Sequence, residues 1–217
     1  MTCIVALVED NVIHMAGDSA GVDTNRLLSF RRDDPKVFLN GNFIFGFTSS
    51  FRMGNLLQYK LECPKQPHGM DDMKFMVCLF VESVRKCFKE NGFGSAENGG
   101  TFIVGYNGKL YTIYGDYQVA CHNENYCSVG CGSEFALGSM YTTDKLDLDP
   151  KERLTISLNA ASHFSAGVAA PYTFLTLENS GSSSNQMTKY QTEDSKFDAA
   201  VKVVKGKWTW QNLKKLL

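Results

Sequence analysis

A hairpin pattern begins the chain: residues 2–19 read TCIVALVEDNVIHMAGDS. Residues 2–8 are apolar and rich in β-branched side chains, a polar turn follows, and residues 12–16 resume the apolar pattern. Two such runs joined by a short polar segment are typical of a β-hairpin. The sequence therefore predicts a buried hairpin here, closed by a loop over residues 17–21.

Two further hairpins and four helices are predicted along the chain. Asn40-Gly41 and Asn107-Gly108 each separate two apolar runs, and Asn-Gly favours a tight type I′ turn. Apolar residues at three- and four-residue steps and helix-start signals predict helices over 51–61, 71–90, 133–143 and 149–165. Strands followed by pairs of helices, rather than alternating βαβ units, predict an α+β fold of antiparallel sheets with helices packed outside.

Charge and composition exclude several function classes. The chain has 217 residues with 22 Lys+Arg against 23 Asp+Glu, a net charge of -1. This balance gives no electrostatic basis for binding nucleic acid or an anionic membrane. No apolar run approaches the roughly 20 residues that span a bilayer. We interpret the protein as cytoplasmic, with neither nucleic acid nor membrane as a partner.

The cysteines predict no metal site and the length predicts one main domain. The seven cysteines contain no C-x-x-C pair, which favours reduced thiols packed as small apolar groups. No cofactor is expected.

Residues 180–197 are rich in Ser, Gln and Asn and predict a flexible link. The domains are therefore drawn as residues 1–178, the main body, and 179–217, a C-terminal extension made of a linker and a small appendage.

Thr2 combines a hydroxyl with a potential built-in base. Removal of Met1 would expose the α-amine of Thr2, whose pKa of about 7.7–8.0 in peptides suits proton abstraction from the hydroxyl. The hairpin returns the chain to the level of its start, so Asp18 should lie beside Thr2. Lys36 begins the next strand, where its charge would keep the amine neutral and Asp18 would hold it in place. These residues predict a catalytic Thr2–Asp18–Lys36 site.

Successive short motifs carry a resemblance to a known family. They are residues 1–5 MTCIV, 16–19 AGDS, 35–38 PKVF, 46–49 GFTS and 129–137 VGCGSEFAL. In this order and spacing they resemble proteasome β-subunits, and most closely the bacterial peptidase of the HslV type, within the N-terminal nucleophile hydrolases. The resemblance implies a four-layer αββα sandwich, exposure of an N-terminal threonine, amide-bond hydrolysis, and assembly of copies into a ring.

The resemblance also assigns supporting residues. It implies that the backbone N–H of Ser49 lies in the oxyanion hole, and that Cys131 and His163 occupy two positions that support the amine. The sequence departs from the family at all three positions, where the family has glycine, serine and aspartate. A Cys131–His163 pair could instead be a second nucleophilic site. The simpler interpretation is a small filler and a hydrogen-bonded helix histidine.

The leading hypothesis is a threonine-type peptidase that acts on a peptide or protein substrate as a homo-oligomeric ring. Two alternatives stay open from the sequence. One is a catalytically silent assembly or binding protein with the same fold, and the other is an amidohydrolase that acts on small amides. The sequence does not decide whether an ATP-dependent unfoldase serves the ring, and no feature supports one.

Overall fold

The structure is a computed structural model that describes residues 1–23, 28–95, 98–178 and 190–191. The strands are β1 (Cys3–Glu9), β2 (Val12–Gly17), β3 (Ala20–Asp23), β4 (Leu28–Arg31), β5 (Val37–Asn40), β6 (Phe43–Phe47), β7 (Phe102–Tyr106), β8 (Lys109–Ile113), β9 (Val119–Cys121), β10 (Tyr126–Gly130), β11 (Thr173–Glu178) and β12 (Tyr190–Gln191). The α-helices are α1 (Phe51–Tyr59), α2 (Asp72–Phe75), α3 (Val81–Glu90), α4 (Ser133–Thr143) and α5 (Pro150–Phe164). A π-helical segment, Met76–Phe80, joins α2 to α3.

The strands form two large antiparallel sheets and a small hairpin. The first sheet has the order β10-β1-β2-β11-β12, the second β5-β6-β7-β8-β9, and β3 pairs with β4 alone. The first predicted hairpin is β1–β2, and its turn residues Asp10 and Asn11 both have positive φ. β1 lies between β2 and β10, so the strand that follows Thr2 has a neighbour on each edge.

Three apolar clusters separate four layers. Ile4 and Ala6 of β1 pack between the sheets with residues such as Ile44. Their neighbours in sequence point to the other face of β1, which packs against α4 and α5 through a second cluster. A third cluster, which contains Phe45 and Phe80, lies between the second sheet and the helical residues 51–90. The predicted α+β fold and its αββα layering are confirmed.

The helix predictions agree closely with the structure. α4 has the predicted bounds, and α5 begins with a capping box in which Asp149 and Glu152 bond each other's backbone N–H groups. The predicted helix 71–90 is present, with the π-helical segment in its middle. Its N-cap, Asp71, accepts a hydrogen bond from the Lys74 backbone N–H at 3.0 Å.

One of the two predicted Asn-Gly turns is displaced. Asn107 and Gly108 both have positive φ, as a type I′ turn requires. At the other hairpin Asn40 pairs with Phe43, so Gly41 and Asn42 are the loop residues and the prediction was one residue early. The cause is tertiary: the Asn40 side chain donates hydrogen bonds to the carbonyl groups of Leu57 in α1 and of Leu61 just beyond it, which keeps Asn40 in the strand.

Some elements were not predicted. The loop expected over residues 17–21 contains the start of β3, which pairs with β4. β12 falls inside the predicted flexible link and pairs with residues 173 and 174 of β11. The other residues of the 179–217 extension lie outside the described residues. Every helix in the described ranges is too short or too polar to cross a membrane.

Candidate active site

Thr2 lies immediately before β1 and is 4% exposed. Its backbone N–H donates to Cys131 Sγ at 3.3 Å, and its carbonyl accepts a hydrogen bond from Gly132 N at 3.4 Å. Its hydroxyl donates to the Met1 carbonyl at 2.5 Å. The turn after β10 therefore holds the backbone of Thr2 on both sides, while the hydroxyl faces the preceding peptide bond.

Gly130 makes this close packing possible. It pairs with Cys3 across the β1–β10 ladder and has a φ of 106°, which favours glycine. A Cβ atom at this position would lie 2.1 Å from the Thr2 carbonyl oxygen. The glycine that precedes Cys131 is therefore required for the contact between the turn and Thr2.

A buried ion pair flanks Thr2 on the side of the second sheet. Lys36 Nζ donates to Asp18 Oδ1 at 2.7 Å, and the two side chains are 1% and 0% exposed. Lys36 Nζ also lies 3.5 Å from the Met1 carbonyl oxygen, which the Thr2 hydroxyl contacts. The structure thus brings together the three residues predicted as catalytic, and we call the two charged residues the Asp18–Lys36 pair.

The Asp18 carboxylate connects three segments of backbone. Its Oδ1 accepts a hydrogen bond from Cys3 N at 2.9 Å in addition to the lysine. Its Oδ2 accepts hydrogen bonds from Ala20 N at 2.9 Å and Ala169 N at 3.3 Å. Each carboxylate oxygen therefore accepts two hydrogen bonds, which fixes the position of the carboxylate and, through it, of the Lys36 ammonium.

Burial shapes the titration of the groups around Thr2. Burial lowers the pKa of Lys36 below its usual value, while the negative charge of Asp18 and its hydrogen bond oppose this shift. Burial also raises the pKa of the Cys3 thiol to about 12. Cys3 is therefore a packed apolar group beside Thr2 and not a nucleophile.

Cys131 and Ser165 flank Thr2 on its other side. The Cys131 thiol donates to the Thr2 carbonyl at 3.5 Å, and its sulfur accepts a hydrogen bond from Ser165 Oγ at 3.4 Å. Cys131 is exposed. We call these residues the Cys131–Ser165 pair. Ser165 was not predicted as a site residue, although the predicted end of α5 was the available signal: Ser165 is the C-cap of that helix.

His163 is not brought to the site. It is exposed, and its ring packs edge-on against Phe164 with centroids 4.7 Å apart. The buried face of α5 includes Ala161, and a residue two positions further is about 200° around the helix. The described polar contacts of Cys131 are to Thr2 and Ser165. The alternative Cys131–His163 pair is therefore not among the contacts of the described residues, because helical periodicity points the histidine outward.

Ser49 lies in the turn between β6 and α1, with a φ of 71°. Residues on both sides of this turn contact Lys36: Phe47 N donates to the Lys36 carbonyl at 3.1 Å, and the Phe51 ring centroid is 5.9 Å from Lys36 Nζ. The turn is therefore next to the Asp18–Lys36 pair. Among the described residues, none accepts a hydrogen bond from the Ser49 N–H.

In the described ranges, no three His, Cys, Asp or Glu side chains are grouped to hold a metal ion. The side chains around Thr2 instead offer a hydroxyl, an ammonium–carboxylate pair and a thiol. With Met1 removed, this arrangement can place an amine, its neighbouring hydroxyl and a fixed positive charge within one small volume.

Comparison with known proteins identifies the fold. No protein-family model matches the chain, and no curated protein sequence matches it. Solved structures do match it, and three of them are described below. BPH, a bacterial proteasome homologue from Thiobacillus denitrificans solved in complex with epoxomicin, has a TM-score of 0.70 at 18% identity, covering 82% of this chain and 100% of that one. Eukaryotic HslV from Trypanosoma brucei has 0.61 at 17%, covering 82% and 99%.

The third is Anbu, named as an ancestral β-subunit, from Yersinia bercovieri, with a TM-score of 0.64 at 15% identity and coverage of 95% and 94%. The chain therefore has the proteasome-like fold of the N-terminal nucleophile hydrolases, as the motif resemblance predicted. Structural matches at such low sequence identity establish the fold alone, so the chemistry has to be argued from the site.

Proposed function

We propose that the protein is a threonine-type amide-bond hydrolase, a peptidase, that uses Thr2 after removal of Met1. The observation that carries this proposal is the buried Asp18–Lys36 pair beside the Thr2 hydroxyl. A buried ion pair contributes little to net stability, because desolvation offsets most of the attraction. Its position next to a hydroxyl and a latent amine is better explained by chemistry than by folding.

The first step is activation of the hydroxyl. The free amine of Thr2 takes the hydroxyl proton, and Oγ1 attacks the carbonyl carbon of the substrate amide. The Lys36 charge disfavours a protonated amine, which keeps the base available near neutral pH. Asp18 acts through Lys36: its four hydrogen bonds hold the ammonium in place.

Attack places a negative charge on the former carbonyl oxygen. The Ser49 N–H has no acceptor among the described residues and can donate to this oxygen. Ser49 also precedes the N-cap of α1, Ser50, so the positive end of the helix dipole lies next to the same position. Removal of one such donor typically costs about 10²–10³ in rate.

The tetrahedral intermediate then collapses. The protonated amine of Thr2 gives its proton to the leaving nitrogen, the C–N bond breaks, and an ester of Thr2 remains. A water molecule, deprotonated by the same amine, attacks the ester. The acid product leaves and the Thr2 hydroxyl regains its proton. The Cys131–Ser165 pair orients the amine of Thr2, because the Thr2 nitrogen already donates a hydrogen bond to Cys131 Sγ.

We further propose that the enzyme acts in the cytoplasm on peptides or proteins and assembles as a homo-oligomeric ring. The outer surface of α4 and α5 supports assembly, because Phe135, Tyr141 and Phe164 are 40%, 75% and 68% exposed. Exposed aromatic groups of this size are typical of contact surfaces. The similarity in fold to HslV and to the β-subunit Anbu points in the same direction.

Intact-mass spectrometry with and without epoxomicin, the ligand in the BPH complex, tests the proposal. A peptide epoxyketone closes a ring only on a residue that offers both a hydroxyl and a free α-amine. We expect a mass without Met1 and a single adduct. Thr2→Ala should form no adduct, and Thr2→Ser, which keeps both groups, should form one.

A protein that retains Met1 and forms no adduct would contradict the proposal and favour the catalytically silent assembly protein. The exposed aromatic surface is the observation that supports this second candidate. An adduct without turnover of any peptide library would favour the small-amide amidohydrolase instead.

A further inference from the structure

The turn at Ser49 is held by both backbone groups of Thr101. The Thr48 N–H donates to the Thr101 carbonyl at 3.1 Å, which extends the β6–β7 pairing by one step. The next backbone bond would involve the Thr101 N–H, and this group donates instead to Ser49 Oγ at 3.3 Å. The Ser49 side chain thus replaces a backbone acceptor for the Thr101 N–H. Ser49 is also the residue whose own N–H has no acceptor among the described residues.

Serine is locally unfavourable at this position. Ser49 has a φ of 71°, a left-handed conformation that glycine adopts far more readily. Ser49 is also exposed, so its side chain contributes little apolar packing. The polar contact that distinguishes serine from glycine here is the bond from Thr101. The presence of serine rather than glycine is therefore best explained by the effect of this hydrogen bond on the turn.

We propose that Ser49 Oγ is a positioning group that fixes the direction of the Ser49 N–H as an oxyanion donor. This inference rests on the proposed amide hydrolysis. The peptide group between Thr48 and Ser49 has one end bound through the Thr48 carbonyl, which accepts a hydrogen bond from Ser50 N at 2.8 Å. The bond to Ser49 Oγ restrains the other end, so the N–H is pre-aligned before charge develops.

Two substitutions remove the bond and differ in backbone strain. Ser49→Gly loses the bond and relieves the left-handed strain, whereas Ser49→Ala loses the bond and keeps the strain. We expect kcat to fall about tenfold in both variants with KM within twofold, because the donor acts on the transition state and not on substrate binding. The melting temperature should rise or stay equal in Ser49→Gly and fall by about 3 °C in Ser49→Ala.

A matched control comes from a helix start away from this turn. Asp71→Ala removes the N-cap of α2, in which Asp71 Oδ1 accepts from Lys74 N at 3.0 Å, and should lower the melting temperature by about 3 °C with kcat unchanged. A less stable but fully active Asp71→Ala, beside a Ser49→Gly that is at least as stable as the wild type but slower, would separate alignment from stability.

Amide hydrogen exchange of Thr101 provides a readout that does not depend on activity. The amide should be protected in the wild type and should exchange about tenfold faster in both Ser49 variants. A wild type that forms no epoxyketone adduct overturns the proposed hydrolysis and with it this role. An active wild type whose Ser49→Gly variant keeps kcat within twofold, or the same Thr101 exchange, overturns the positioning role alone.

Discussion

The two flanks of Thr2 are built in opposite ways. The Asp18–Lys36 pair is buried, charged and short, with 2.7 Å between Nζ and Oδ1. The Cys131–Ser165 pair includes an exposed thiol, and its sulfur contacts are 3.3–3.5 Å long. One flank is part of the packed interior, and the other is a surface turn and the end of a helix.

This difference indicates a division of roles. The charged flank cannot rearrange without leaving an unpaired charge in the interior, so it sets the position and the electrostatic environment of Thr2. Sulfur is a weak hydrogen-bond partner, so the thiol flank constrains Thr2 less. Substitutions on the charged flank should therefore affect folding itself, whereas those on the thiol flank should affect reactivity.

The largest effect is expected for Asp18→Ala. It removes the carboxylate that accepts hydrogen bonds from the Lys36 ammonium and from three backbone N–H groups, and should lower the free energy of unfolding by about 3–5 kcal/mol. Urea unfolding measures the change. Asp34→Ala is the matched control, since it breaks the more exposed Arg32–Asp34 pair and should cost at most about 1 kcal/mol. Equal costs would contradict the assigned difference between buried and exposed pairs.

Gly130→Ala should be the next most severe change. The added Cβ would meet the Thr2 carbonyl oxygen in a backbone conformation that favours glycine, so we expect a loss of about 3 kcal/mol and a slower reaction with epoxyketone. Gly138→Ala is the control, because Gly138 lies in α4 with nothing within 4 Å of the added atom. That change should stabilise the protein by up to about 1 kcal/mol.

Alkylation tests the exposure of the thiol flank against the burial of Cys3. Iodoacetamide at pH 8 should label Cys131 and spare Cys3, whose buried thiol has a pKa raised to about 12. Labelled protein should form no epoxyketone adduct, while Cys131→Ser should react within about threefold of the wild type and resist the reagent, because a hydroxyl can make the same contacts. Peptide mapping identifies the labelled sites. Labelling of Cys3 would show that the interior opens beside Thr2.

The smallest effect concerns pH. Burial lowers the pKa of His14 on β2 below 6.5. As the pH falls, His14 is therefore protonated in the unfolded chain at a higher pH than in the folded protein. Stability from the neutral histidine is present above pH 6.5 and is lost as the pH falls through the lower folded pKa. We expect a loss below about 1 kcal/mol between pH 7 and 5, and a smaller loss in His14→Gln. A steeper slope that persists in His14→Gln would mean that another group titrates in this range.

Local patterns were sufficient for much of the fold and for half of the site. The hairpin at the start of the chain predicted that Asp18 returns to Thr2, because the register of a tight hairpin follows from its turn. The bounds of α4 and the start of α5 followed from helix-start signals. The hairpin β3–β4 and the short strand β12 were missed, because their pairing depends on partners and turns with weak local signals.

Residue patterns were enough to predict antiparallel sheets with helices packed outside, the Thr2–Asp18–Lys36 constellation and the glycine-rich turn around Cys131, and the family resemblance added the four-layer order. Packing between distant segments placed Ser165, and not His163, against Cys131, and let Ser49 Oγ accept a hydrogen bond from the Thr101 N–H. The reason is distance along the chain. Asp18 reaches Thr2 through one hairpin, whereas Ser165 reaches it only after β10 pairs with β1 and α5 packs across the sheet, and a shift of two residues at a helix end reverses which side chain faces the site.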